Sequence, residues 1–510
     1  MNAILIIYGG NLESQAFEPL YNQENSISLS VKQAQKFPGV NKTVFLFSHG
    51  DFHFLNNVIL EQKDIWTVKN LLEKIAHLQS GYDFAYFVYA DCPFLDPDLA
   101  GAIAERHTRY SAEYSYADGW PYGLAPEILS CGTAAILSKI QLDENEPVNR
   151  DILFSVIRKD INAFDIETEI SSVDLRCHRI NLCADSKRNL LLLKNFIAAC
   201  KDSIPSASMT EKIIEKQPEI LRTLPAFYPV QVYGGCPQKC ALCPYPLITY
   251  AEQRKDFMEC GKFESILDKI VSFSGDAVID LSLWGELSLH PEKMTLIESV
   301  IARNSLALVI ETSGLNWTDD ELEKCAALVK NMSKRKNSLS PLSWIVSLDT
   351  QDSGNYAKLR GNGFAQAENC AKKLLSLFPG DCYVQAVRFA RSEDDTEKFY
   401  RYWKENVSEK NIIIQKYDDF AGFMEKKQAS DISPVIRQCC WHIMRDMPVL
   451  LDGSVPLCRE ELKGLRLLGN IFSDSLESIW QKGNEYYAEQ CGKNYSGLCA
   501  DCDEYYTYNF

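Results

Sequence analysis

Cys236, Cys240 and Cys243 stand three in eight residues, in the segment VQVYGGCPQKCALCPYP. Thiolates that close in sequence must converge on one tight loop, and Gly234-Gly235 before the set with Pro237 and Pro244 around it supply the turn residues. Three thiolates at this spacing hold three irons of a four-iron cluster and leave the fourth iron open to a ligand. The preceding PVQVY reads as the strand that delivers the loop. Spacing alone does not name the metal, since a zinc site or buried free cysteines also account for clustered cysteine.

The sequence after the loop alternates strand, loop and helix. AVIDLSLWGE is an apolar strand ending in Gly285-Glu286, LHPEKMTLIESVIARN is helix-like, and LALVIETSG is another strand with small polar residues at its end. SWIVSLDTQ, YVQAVRFA and NIIIQKYDDF follow as short apolar runs with helical patterns between them. This order predicts a parallel sheet of about six strands, with ligands at the carboxyl ends.

Residues of about 226 to 430 thereby resemble a radical S-adenosylmethionine enzyme core, a partial (β/α)6 barrel. The resemblance implies a four-iron four-sulfur cluster held by Cys236, Cys240 and Cys243, with S-adenosylmethionine on the open iron. The family's strand-two motif that holds the methionine amino group matches Trp284-Gly285-Glu286, with Trp in place of the first glycine. Thr312 and Ser313 fall where the family contacts ribose or carboxylate, Ser347 and Asp349 lie in a fourth-strand SLD pattern, and Arg388 is placed to pair with the methionine carboxylate. Leu242 stands where the family usually has an aromatic residue, which weakens the expected adenine contact. Bland roles stay open for Glu286, Ser313, Asp349 and Arg388: a strand-end carboxylate, a turn hydroxyl, a surface ion pair.

A second cysteine field closes the chain, in CCWHIMRDMPVLLDGSVPLC and CGKNYSGLCADC. Asp452-Gly453 signals a hairpin that carries Cys458 on its returning strand. The tail resembles the SPASM auxiliary-cluster extension, in the spacing from Cys440 through Gly453 to Cys458 and in the segment GNIFSDSLESIW. The resemblance implies one auxiliary cluster with Cys440, Cys458, Cys499 and Cys502 as ligands. Cys439 competes with Cys440, Cys491 is a bystander, and zinc would use the same four thiolates.

The first 200 residues need another account. ILIIYGG, TVFLFS and DFAYFVYADCPFLDPDLAGAIAERH are strand signals with helices between, the last with a helix begun by Pro97. YADCPFLDP resembles the acidic strand-end motif of sugar-activating nucleotidyltransferases, which implies magnesium on Asp91, with Asp165 and Glu167 candidates for a second oxygen ligand. The segment YGGNLESQAFEPL has no Lys or Arg where that family places phosphate-binding cations. The expectation is a degenerate, Rossmann-like nucleotidyltransferase-like domain that binds a partner or a nucleotide-sugar.

The expected domains are 1–205, a Ser/Pro-rich linker at 206–225, the radical core at 226–430 and the SPASM-like domain at 431–510. A net charge of −16 argues against a nucleic-acid surface. No apolar run approaches the roughly 20 residues of a membrane span. AILIIYGG lacks a basic flank and reads as a first strand, not a signal peptide. Eighteen cysteines then point to reduced thiols and a cytoplasmic, oxygen-sensitive protein. The expected activity is cleavage of S-adenosylmethionine to a 5′-deoxyadenosyl radical that takes hydrogen from a peptide, protein or sugar-nucleotide. A low-potential donor such as flavodoxin or ferredoxin would supply the electron. The alternatives are a nucleotidyl- or glycosyl-transferase in the first domain and a zinc-binding scaffold without catalysis.

Overall fold

The computed structural model describes all residues except 141–142, 202, 249–255, 431–433, 435 and 507–510. Two units make up the chain, Met1–Thr223 and Leu224–Phe510. In the first, AILIIYG is buried at every position and forms β1 (Ala3–Gly9), as expected of a strand covered on both faces. A short antiparallel ribbon follows, β2 (Pro19–Tyr21) with β3 (Glu24–Asn25). The sheet is completed by β4 (Val40–Phe47), β5 (Ile59–Gln62), β6 (Phe84–Tyr89), β7 (Tyr114–Asp118), β8 (Glu127–Ser130) and β9 (Ile166–Ile170), in the order β5-β4-β1-β6-β8-β7-β9. Only β8 runs antiparallel to its neighbours. The Asp96 side chain caps the helix Pro97–Arg109 by accepting from the amides of Asp98 and Leu99 at 2.8 and 2.9 Å.

The second unit holds the six-stranded parallel sheet. Its strands are β10 (Phe227–Pro229), β11 (Ala277–Asp280), β12 (Leu306–Thr312), β13 (Leu342–Ser347), β14 (Cys382–Arg388) and β15 (Ile412–Lys416), and they pair in sequence order. Helices such as Cys260–Ser274 and Lys293–Ile301 return the chain between strands, the right-handed crossover that parallel pairing requires. The outward core residues of the strands pack on those helices through Ile279, Leu308, Trp344 and Val384. Cys440, Ile443, Trp480 and Tyr505 from the C-terminal segment belong to this same core.

Three local expectations are corrected. Of PVQVY only Pro229 belongs to a strand, the last residue of β10, and Val230 and Tyr233 make isolated bridges; β10 is an edge strand whose Pro229 lacks an amide donor. The 206–225 segment is not a loose linker: Ser206 caps a helix at Ala207–Lys216 that buries Thr210, Ile213 and Ile214. The turn at Gly453, φ +83°, forms, but β16 (Ser454–Pro456) pairs with the later β17 (Leu467–Asn470), and Cys458 lies just past β16.

Candidate functional site

A cavity of about 470 Å3 opens at the carboxyl ends of the barrel strands, lined by Cys236, Cys240 and Cys243. Burial pushes the thiols of Cys236 and Cys243 up to about 12 and raises that of Cys240. Burial raises Cys325 and Cys370 as much, so what suits a metal centre is that these three thiols line one cavity, where a metal's positive charge would deprotonate them. The loop they share is tied to the turn after β11 by the Glu286 amide, which donates to Gly235 O at 2.8 Å. A Cβ at Gly285 would lie 1.9 Å from Tyr233 O, so the middle residue of Trp284-Gly285-Glu286 must be glycine. Trp284 takes φ +46° to make the approach.

Glu286 is 4% exposed. Its carboxylate accepts from Thr312 Oγ1 at 2.6 Å and from the Ser313 amide at 2.8 Å, and Trp317 Nε1 donates to Thr312 Oγ1 at 3.0 Å. Neutral donors orient this carboxylate, and no ion pair among the described residues reaches it. Gly285, Thr312, Ser313, Ser347 and Asp349 line the same cavity. Ser347 donates to Glu311 at 2.6 Å. Asp349, at φ +67°, pairs with Arg360 Nη1 at 2.6 Å and accepts from the Val387 amide at 2.9 Å.

Arg388 is a correction. Gln385 and Val387 line the cavity, so alternation along β14 turns Arg388 outward, and it is exposed. Two other guanidinium groups line the cavity, Arg360 and Arg459, and Arg360 also donates to Gln238 Oε1 of the cysteine loop at 3.2 Å. Sequence reasoning missed Arg360, because it sits in a polar stretch after the helix Ser353–Leu359 with no motif around it. It also missed Asp280, Glu311, Gln385 and Gln415, whose signal was a polar residue near the carboxyl end of a barrel strand.

Cys440, Cys458, Cys499 and Cys502 line a second, small pocket with His442, Arg459, Gln490 and Glu504. Burial pushes Cys440 up to about 12 and raises the other three. Gln490 fixes the Cys440 amide at 3.0 Å, and Arg437 donates to Cys499 O at 2.8 Å. Cys439 instead meets Cys491, Sγ to Sγ 2.6 Å. Four convergent thiols fit a metal centre whose ligands all come from protein.

In the first unit Asp91 is 3% exposed. Arg150 grips both its oxygens, at 3.2 Å on Oδ1 and closer on Oδ2, and reaches Asp185 at 3.3 Å. The guanidinium lies against the rings of Tyr89 and Tyr122, 5.4 and 5.7 Å from their centroids. The side-chain atoms grouped with the Asp91 carboxylate are the thiols of Cys92 and Cys183, soft donors that magnesium avoids. Glu167 pairs with Arg106 at 2.7 Å and Asp165 is exposed, so neither joins Asp91. Magnesium does not fit the residues at this position. No described helix is long and apolar enough to cross a membrane.

Residues 439–503 match the SPASM family, an iron-sulfur cluster-binding domain. An uncharacterized protein of Treponema pallidum (strain Nichols) is 32% identical over 367 residues, covering 70% of this chain and 98% of that protein. Among solved structures, Streptococcus suis SuiB bound to precursor peptide SuiA is 13% identical at a TM-score of 0.42, covering 78% of this chain and 92% of that one. A cytidylyltransferase from Leptospira borgpetersenii is 14% identical at a TM-score of 0.37, covering 43% of this chain and 96% of that one.

Proposed function

The chain belongs to one family with the Treponema pallidum protein and carries a SPASM domain at residues 439–503, and on that premise we propose that its barrel is of the radical S-adenosylmethionine type, with a cavity that cleaves S-adenosylmethionine and activates a substrate held beside it. The observation that carries this reading is the meeting of Cys236, Cys240, Cys243 and a cation-free Glu286 in one cavity. Bound there, a four-iron cluster and S-adenosylmethionine supply a 5′-deoxyadenosyl radical able to take hydrogen from carbon. Cys236, Cys240 and Cys243, which line this cavity, would hold the cluster. Glu286 accepts the methionine ammonium as a charge-assisted hydrogen bond, and the Thr312 hydroxyl and Ser313 amide fix its two oxygens for that contact. Ser313, Ser347 and the Asp349–Arg360 pair present polar groups to the ribose and carboxylate. The barrel wall keeps bulk water from the reacting atoms.

Cys440, Cys458, Cys499 and Cys502 hold one auxiliary cluster with no open position, suited to electron transfer. The substrate range remains a peptide, a protein or a sugar-nucleotide, and a flavodoxin or ferredoxin is the expected electron source. Nucleotidyl transfer in the first unit is not advanced, since Arg150 already neutralises Asp91. Metal analysis of the anaerobically reconstituted protein tests the proposal. About eight irons in the wild type and about four in the Cys236→Ala, Cys240→Ala, Cys243→Ala variant support it. Zinc without sulfide in both sinks it.

A further inference from the structure

Inside the barrel, Phe227, Val278, Val309 and Ile345 form an apolar layer, with Tyr383 and Ile413 packed against it. Two residues further along β11 to β15, where alternation returns each side chain to the interior, stand Asp280, Glu311, Ser347, Gln385 and Gln415, all lining the cavity. A barrel that fills its own interior uses Val, Ile and Leu in such layers. A layer with two carboxylates costs stability unless something polar completes it.

The cations around the cavity are already taken. Arg360 pairs with Asp349 at 2.6 Å, Arg459 with Asp418 at 3.2 Å, and Lys416 with Asp503 at 2.9 Å. Among the described residues no ion pair reaches Asp280 or Glu311. Asp280 Oδ1 accepts the Ser282 amide at 2.9 Å, and Glu311 Oε1 accepts Ser347 Oγ at 2.6 Å and Gln385 Nε2 at 2.8 Å. His442, 5% exposed, lines the same cavity; Asp446 engages its Nδ1 at 2.6 Å and its Nε2 has no partner. That leaves two carboxylates held by neutral donors alone, with no ion pair among the described residues, and one imidazole nitrogen without a partner.

We propose that this inner polar layer binds a primary amine of the substrate, its ammonium neutralised by Asp280 and Glu311. The proposal rests on the reading of the cavity as an S-adenosylmethionine site, in which Glu286 is committed to the methionine ammonium. An alkylammonium supplies one positive charge, and three donors for the lone pairs that the neutral donors of Ser282, Ser347 and Gln385 leave open. A cavity of about 470 Å3 that also admits S-adenosylmethionine leaves room for a compact group. The amine is therefore carried by a small molecule or by the tip of a lysyl side chain.

Matched probes on the anaerobically reconstituted holoprotein with S-adenosylmethionine test this: ethanolamine against ethylene glycol, glucosamine against glucose, and Gly-Lys-Gly against Gly-norleucine-Gly. Affinity is read by titration calorimetry, and 5′-deoxyadenosine formation under dithionite is followed alongside. At least one amine should bind about tenfold or more tighter than its neutral partner, and the pair that does so tells a small amine from a lysyl one. In Glu311→Gln and Asp280→Asn that preference should fall toward unity. No amine preference in any pair overturns the proposal. So does a loss of S-adenosylmethionine affinity in both variants with the preference intact, which would assign the carboxylates to the sulfonium. Absence of 5′-deoxyadenosine in the wild type without any probe counts against the cavity reading instead, and the calorimetric preference still decides for or against the amine.

Discussion

Asp91 in the first unit and Glu286 in the second are both buried acids in loops that follow a parallel strand, 3% and 4% exposed. They differ in what surrounds the charge. Arg150 holds Asp91 through both oxygens and is itself flanked by two tyrosine rings. Glu286 is oriented by a hydroxyl and an amide, neither of them charged. An acid supplied with its own guanidinium is a structural tie. An acid supplied only with neutral donors keeps its net charge for a ligand. Two similar strand-end acids therefore predict opposite behaviour, and the difference lies in residue 150, far from Asp91 in sequence.

The largest expected effect on ligand binding is at Glu286. Glu286→Gln keeps the shape and removes the charge, so affinity for S-adenosylmethionine should fall about 10- to 100-fold, the worth of one charge-assisted hydrogen bond. Equilibrium dialysis with the reconstituted protein measures it. Unchanged affinity would place Glu286 with Asp91 as a structural acid and break the comparison from that side.

Arg150→Ala attacks the other side. It leaves the buried Asp91 and the half-buried Asp185 without their shared cation, and the first unit should lose about 3 kcal/mol, read as a lower unfolding midpoint. Adding Asp91→Asn should recover part of the loss, because the cost is the orphaned charge and not the missing side chain. The comparison sharpens if millimolar magnesium does nothing for Arg150→Ala. It collapses if magnesium restores the midpoint, for Asp91 would then be a ligand site with a removable plug.

How much of this was legible depended on whether the deciding contact was local. The cysteine loop, Gly285-Glu286 and the five barrel strands β11 to β15 were readable because each is written in a short run with its own turn residues. Position along a strand was readable too, yet counting by two from Gln385 was needed to see that Arg388 faces out. The helix Ala207–Lys216 was hidden because Ser, Pro and charged residues flank a buried face as narrow as Thr210, Ile213 and Ile214. Arg150 and Arg360 were not readable at all. Each meets its carboxylate across a loop, and neither has neighbours whose pattern announces it. Cys440 and Cys439 are adjacent, and only the fold separates the four-thiol pocket from the Cys439–Cys491 contact.

The smallest effect concerns Asp280, which no ion pair among the described residues reaches. Burial pushes its carboxyl up to about 6, the charge of Glu311 adds to the rise, and the hydrogen bonds from Ser282 with the charge of Arg459 only partly oppose it. A folded-state value above the unfolded one means that the unfolded chain releases its proton first as pH rises. Stability is then unaffected below about pH 4, falls between about 4 and 6, and stays reduced above that. Two units correspond to about 3 kcal/mol, and water in the cavity screens this to about 1–2 kcal/mol. Asp280→Asn carries no titrating group, so its urea midpoint relative to wild type should rise across that window in cofactor-free protein. Parallel profiles for the two proteins would mean that a cation or bulk water already meets Asp280. The barrel acid would then be as satisfied as Asp91, and the contrast between the units would reduce to Glu286 alone.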